Sequence, residues 1–105
     1  MRMLNEEWLF SAEITTDDNE LWVLDYLLQV FEGENGDSFG LRINKSTPSG
    51  VLYETEETLA ITENRDDILI MAKAFAKGSV PPVTLLELAD EWVSEVETAA
   101  LAINF

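Results

Sequence analysis

Two helices are predicted on either side of Gly78-Ser79-Val80-Pro81-Pro82-Val83-Thr84-Leu85-Leu86-Glu87-Leu88. Gly78 and the two prolines after it end the first helix, because glycine is common just past a helix and proline cannot continue one. Thr84 stands three residues before Glu87, which is the spacing of a capping box, so we expect the second helix to begin there. Val83 and Leu88 would form a hydrophobic staple across this helix start.

The second helix is predicted to be amphipathic over residues 84–100. Its apolar stripe is formed by Leu85, Leu88, Ala89, Trp92, Val93 and Val96, and continues to Ala99, Ala100 and Ile103. Its opposite face is acidic and carries Glu87, Asp90, Glu91, Glu95 and Glu97. An apolar stripe of this kind needs a surface to cover, so we expect the helix to lie across a sheet as a lid. The apolar residues 101–105 either pack on that sheet or contact another subunit.

The first helix is predicted over residues 65–77. Asn64 is a typical N-cap, and Asp66 and Asp67 place carboxylates in the first turn, near the positive end of the helix dipole. Apolar residues follow at helical spacing, at Ile68, Met71, Ala72 and Phe75. This spacing predicts a helix with one buried face.

Four strands are predicted before the helices, over residues 8–15, 21–31, 38–45 and 51–61. In the first strand, apolar residues alternate with more polar ones and should share one face: Trp8, Phe10, Ala12 and Ile14. The second segment is apolar almost throughout and suits either a strand or a buried helix. Its β-branched and aromatic residues, and the Asn35-Gly36 pair that follows, favour a strand. Asp25 within it is expected to face solvent, because on a covered face it would need a partner such as Arg42 or Arg65.

These elements predict the α+β class, in one domain spanning residues 1–105. The sheet would be a four-stranded antiparallel meander, with the two C-terminal helices packed on one face.

The chain is strongly acidic, with 21 Asp and Glu against six Lys and Arg and a formal net charge of −15 over 105 residues. Such charge repels nucleic-acid phosphates and anionic lipid, so we expect neither direct nucleic-acid binding nor membrane binding. Cysteine and histidine are absent, which removes thiolate nucleophiles, imidazole bases and the usual zinc ligands. We therefore expect no enzyme activity, no cofactor and no metal site. No apolar run approaches the roughly 20 residues of a membrane span, and a cytoplasmic protein is expected.

The order of two sequence phrases resembles that of a family of short uncharacterised bacterial proteins. The first phrase is Ser38-Phe39-Gly40-Leu41-Arg42-Ile43, and the second runs from Val80-Pro81-Pro82-Val83 to Asp90-Glu91-Trp92. The resemblance covers about residues 21–96 and implies an antiparallel sheet followed by two helices. It implies no activity.

The acidic surface is the feature that indicates a function. The candidate partner-binding residues are Glu54, Glu56 and Glu57 on the fourth strand and Glu87, Asp90, Glu91, Glu95 and Glu97 on the second helix. They predict a small non-catalytic protein-binding or regulatory module whose partner has a basic surface. The alternative is a nucleic-acid mimic that inhibits a nuclease or another nucleic-acid-binding protein, in the manner of anti-CRISPR proteins. Trp8, Trp22 and Trp92 belong either to the core or to an interface, and both a monomer and a homodimer fit the sequence.

Overall fold

The computed structural model describes the backbone of residues 2–103 and the side chains of residues 2–94. Its elements are β1 (Met3–Thr15), β2 (Leu21–Gly33), β3 (Gly36–Ser46), β4 (Leu52–Glu57), α1 (Arg65–Lys77) and α2 (Leu85–Ile103), with a 3-10 turn at Pro82–Thr84 before α2. The strands form one antiparallel sheet in the order β1-β2-β3-β4. The predicted α+β class, an antiparallel meander followed by two helices, is confirmed.

The ends of the strands differ most from the prediction. β1 begins at Met3 rather than at residue 8, and β4 ends at Glu57 rather than at residue 61. After β4 the chain stays beside β3 through one bridge, between Phe39 and Thr62. Leu59 has a φ of 58°. This left-handed conformation interrupts the regular alternation of a strand, and so β4 ends early.

The core lies between one face of the sheet and the two helices. Its fully buried residues are Leu24, Tyr26, Leu28, Leu41 and Ile43 from the sheet and Ile68, Met71, Ala72 and Leu85 from the helices. Ala89 of α2 belongs to the same cluster, and Leu88 and Trp92 pack half-buried at its margin. The predicted lid is therefore present along the described part of α2. Val93 of the predicted stripe is also half-buried. The stripe residues Val96, Ala99, Ala100 and Ile103, and the prediction that residues 101–105 pack on the sheet or contact another subunit, lie outside the described side chains.

The start of α1 confirms the predicted cap, since the Asn64 side chain accepts a hydrogen bond of 2.9 Å from the Asp66 backbone N–H. The end of α1 differs in one detail. Gly78 has a φ of −86°, and the left-handed residue is Ser79, with a φ of 51°. Glycine is thus not required for its backbone conformation at position 78.

The start of α2 differs from the predicted capping box and staple. The Thr84 hydroxyl donates to the Pro81 carbonyl at 3.3 Å. Val83 is 78% exposed and therefore does not form a buried staple with Leu88. The physical reason is the 3-10 turn, which begins at Pro82 and continues directly into α2, so that Thr84 already lies inside helical backbone.

Tyr26 joins the sheet to the end of α1. Its side chain is fully buried, and its hydroxyl lies 2.9 Å from the Val80 carbonyl oxygen and 3.4 Å from that of Phe75, to which it donates. Burial raises the pKa of Tyr26 to about 12, because the ionised phenolate would lose its hydration.

The protein should lose stability as pH rises from about 10 to 12. Tyr26 ionises near pH 10 in the unfolded chain, whereas the folded protein keeps its proton up to about pH 12. Over this range the unfolded state binds fewer protons, so rising pH favours unfolding, by at most about 3 kcal/mol in total. Below pH 10 both states are protonated and the contribution is complete. Urea unfolding at a series of pH values measures the effect. Tyr26→Phe should have a flatter profile over this range, and parallel profiles would contradict the assignment.

Candidate functional site

The three acidic residues predicted on β4 lie on two faces of the strand. Glu54 and Glu56 are in register with Lys45 and Ile43, which belong to the helix-covered side of β3. Glu57 lies on the other side, because successive residues of a strand point to opposite faces. We call that side, which the helices leave uncovered, the open face.

Each of these carboxylates has a partner. Glu54 lies 3.8 Å from the Lys45 ammonium group, and Glu56 accepts a hydrogen bond of 3.1 Å from the Glu57 backbone N–H. The Glu57 carboxylate accepts a hydrogen bond of 2.7 Å from the Gln29 amide. The strand therefore does not present its acids as one uniform row.

The acids of α2 are displayed differently. Glu87, Asp90 and Glu91 are all exposed. Glu95 and Glu97 fall within α2, but their side chains lie outside the described part of the chain. The described α2 surface thus contributes three accessible carboxylates.

A shallow groove of about 440 Å³ separates β4 from the 3-10 turn. We call it the β4 groove, and it is lined by Tyr53, Glu54, Thr55, Glu56, Pro82 and Val83. Tyr53 is 62% exposed, and Val83 is also largely exposed. An exposed aromatic ring and an aliphatic side chain beside two carboxylates are typical of a binding surface. The sequence predicted the acids here but not the groove, which depends on how the turn approaches β4.

The open face carries a polar network around Gln29. This side chain is fully buried, and its Nε2 donates to Glu6 at 3.0 Å as well as to Glu57. Arg42 lies 3.5 Å from the Glu6 carboxylate and donates through Nε to Thr55 at 2.9 Å. Within the described side chains, the Gln29 Oε1 is the buried polar atom that lacks a hydrogen-bond donor. The sequence signal for this network was Gln29 itself, a polar residue between Leu28 and Val30 in β2.

Trp8 also lies on the open face, and the prediction that it shares a face with Phe10 is wrong. The β1–β2 register shifts between these residues, so that Trp8 is opposite Leu27 and Phe10 is opposite the buried Tyr26. Leu9 is the additional residue of this irregularity and packs against the core. A one-residue shift reverses the face of every residue on one side of it, because side chains alternate with period two.

Asp25 fixes the position of the Trp8 ring. The Trp8 indole N–H donates to the Asp25 carboxylate at 3.0 Å, and the Ser11 hydroxyl donates to the same oxygen at 3.1 Å. Asp25 lies on the open face, as expected, but it is half-buried and does not require Arg42 or Arg65 as a partner.

The other two tryptophans lie nearer to packed side chains. Trp92 is half-buried against the core. The Trp22 ring lies 4.8 Å from that of Tyr53, between ring centroids, and the Lys45 ammonium group lies 4.7 Å from the Trp22 centroid. Trp22 therefore already contacts an aromatic ring and a cation within the chain.

The described part of the chain contains neither a metal-binding cluster nor a helix that could span a membrane. No cluster of three or more Asp, Glu, His or Cys residues there has an arrangement that would hold a metal ion. Among its helices, none combines the length and apolar character needed to cross a membrane.

A model for a family of unknown function, DUF6514, matches residues 5–95. The chain belongs to the DUF6514 family. The match confirms the resemblance to an uncharacterised domain family and includes both the β4 groove and Trp8. Neither the curated proteins nor the solved structures contain a significant match to this DUF6514 chain.

Proposed function

We propose that this DUF6514 protein is a small, non-catalytic binding module whose partner is a protein with a basic surface. The observation that carries the proposal is the β4 groove, which exposed Tyr53 and Val83 line together with Glu54 and Glu56. Apolar anchors supply binding energy, and the surrounding charge selects and steers the partner. The proposal takes the protein to be cytoplasmic, as predicted from the sequence.

The distribution of basic side chains supports the same partner class. Four of the six basic residues already form ion pairs with carboxylates of the chain: Arg2, Arg42, Lys45 and Arg65. Lys73 and Lys77 lie exposed on α1. A partner approaching the β4 groove and the start of α2 therefore meets a negative potential, which favours a basic surface.

Neutralising the exposed acids of α2 should reduce partner binding. The variant is Glu87→Gln, Asp90→Asn and Glu91→Gln, which preserves side-chain size while removing three charges. In a pull-down followed by identification of the captured protein, we expect recovery to fall by about tenfold, since each close charge pair contributes on the order of 1 kcal/mol or more at an interface. Circular dichroism verifies that the helix content is unchanged.

The matched control neutralises three exposed acids in the turn between β1 and β2, with Asp17→Asn, Asp18→Asn and Glu20→Gln. This control changes the net charge by the same amount as the α2 variant. Its recovery of the partner should therefore fall only by the general effect of lower net charge. Equal losses in both variants would contradict a site at α2. Release of the captured protein by double-stranded DNA would instead support the alternative of nucleic-acid mimicry.

A further inference from the structure

The open face carries an exposed tryptophan that does not belong to the β4 groove. Trp8 is 61% exposed, yet its ring is held by the hydrogen bond to Asp25, and Ser11 holds that carboxylate in turn. Leu27, half-buried, lies opposite Trp8 on β2. A large aromatic ring held in place at the surface loses little conformational entropy on binding, which makes it an effective interface anchor.

The surroundings of Trp8 are acidic. The carboxylates that the strand register places on the open face are Glu6, Glu13, Asp25 and Glu57. The basic residue among them is Arg42, whose guanidinium already contacts Glu6 and Thr55. An incoming cation would therefore be attracted to this face.

Among the described residues, Trp22, unlike Trp8, has a cation of the same chain over its ring. The Lys45 ammonium group lies 4.7 Å from the Trp22 centroid and 5.3 Å from that of Tyr53, within the range of a cation–π interaction. No described cationic side chain occupies the corresponding position over Trp8. The Trp8 ring is thus available to a cation from another molecule.

We propose that the open face around Trp8 binds an arginine- or lysine-bearing segment of a partner protein, with the cationic side chain stacked on the indole ring. A second copy of this chain is a poor occupant, because two acidic open faces would repel each other. The inference rests on the proposed function for the basic character of the partner, but it assigns a surface separate from the β4 groove. The binding role of either surface can therefore be disproved without affecting the other.

The test uses the peptide acetyl-Gly-Arg-Gly-Arg-Gly-Arg-Gly-amide and a counterpart in which neutral citrulline replaces arginine. Binding is followed through the three indole N–H resonances of the full chain, assigned with single Trp→Phe variants. We expect the arginine peptide to shift the Trp8 resonance saturably and to leave Trp22 and Trp92 unchanged. The citrulline peptide should produce no such shift, because it lacks the charge that the ring and the carboxylates recognise.

Two variants separate the ring from the charge. Trp8→Ala should weaken binding of the arginine peptide by about tenfold. Asp25→Asn keeps an oxygen to accept the indole hydrogen bond but removes a charge, so it should weaken binding by about threefold. Unchanged thermal unfolding shows that both variants are folded, as expected for residues outside the core.

Three results would overturn the inference. The first is equal binding of the arginine and citrulline peptides, and the second is wild-type affinity in Trp8→Ala. The third is a peptide-induced shift confined to β4-groove amides, which would keep the proposed function and remove Trp8 from it. Conversely, unchanged partner capture in the α2 variant together with a preserved Trp8 response would contradict the α2 site and keep the Trp8 surface.

Discussion

Ile68→Ala is expected to lower the free energy of unfolding by about 2 to 5 kcal/mol. Ile68 is fully buried where α1 packs on the sheet. Alanine would remove three carbon atoms from this position and leave a cavity that close-packed neighbours cannot fill completely. Urea unfolding followed by tryptophan fluorescence measures the change, provided that the slope of the transition stays constant.

The same substitution two residues later is the control. Ile70 is 61% exposed on the outer side of α1. Ile70→Ala should change stability by only about 0.5 kcal/mol in either direction, because few contacts are lost and alanine is the better helix former. Similar losses at both positions would show that the face of α1 is assigned incorrectly.

Local patterns predicted α1 well because every signal for it lies within the segment. Asn64 caps the helix, and the apolar spacing from Ile68 to Phe75 identifies the buried face. The strand count was predictable for a similar reason, since turn residues separate the four apolar or alternating segments. Neither inference required knowledge of residues distant in the chain.

The irregularity in β1 was not predictable in this way. Trp8, Leu9 and Phe10 are three consecutive large apolar residues, so either Trp8 or Leu9 can lie on the core side. Perfect alternation would place Trp8 on the core side, whereas the observed register places Leu9 there. The contacts that accompany this register come from other segments: Leu9 packs against the core, and Asp25 of β2 provides an acceptor for the Trp8 indole on the open face.

In the candidate site, too, the features set by local sequence were predictable and those set by distant residues were not. Composition predicted an acidic surface, and helical spacing predicted that Glu87, Asp90 and Glu91 would be exposed. The partners of the β4 acids depend on strand register and on side chains far away in sequence, as in the contact between Glu57 and Gln29. Periodicity within one segment contains no information about such pairs.

Gly40→Ala is expected to destabilise the protein by about 3 kcal/mol, at the upper end of overpacking effects. A Cβ atom at this position would overlap the backbone carbonyl of Leu59. The chain there cannot move aside freely, because the Thr58 N–H donates to the Leu41 carbonyl at 2.9 Å and the Leu41 N–H donates to the Thr58 hydroxyl at 3.0 Å. Relief of the overlap must therefore weaken the contact between β3 and the segment that follows β4.

Gly78→Ala is the matched control, since its nearest neighbouring atoms lie 3.7 Å or more from the new Cβ and its φ is negative. We expect that variant to be neutral or slightly stabilising, because alanine restricts the unfolded chain. Hydrogen exchange adds a local measurement: the Thr58 amide should lose protection in Gly40→Ala and keep it in Gly78→Ala. Wild-type stability and protection in Gly40→Ala would mean that the segment after β4 does not press against β3.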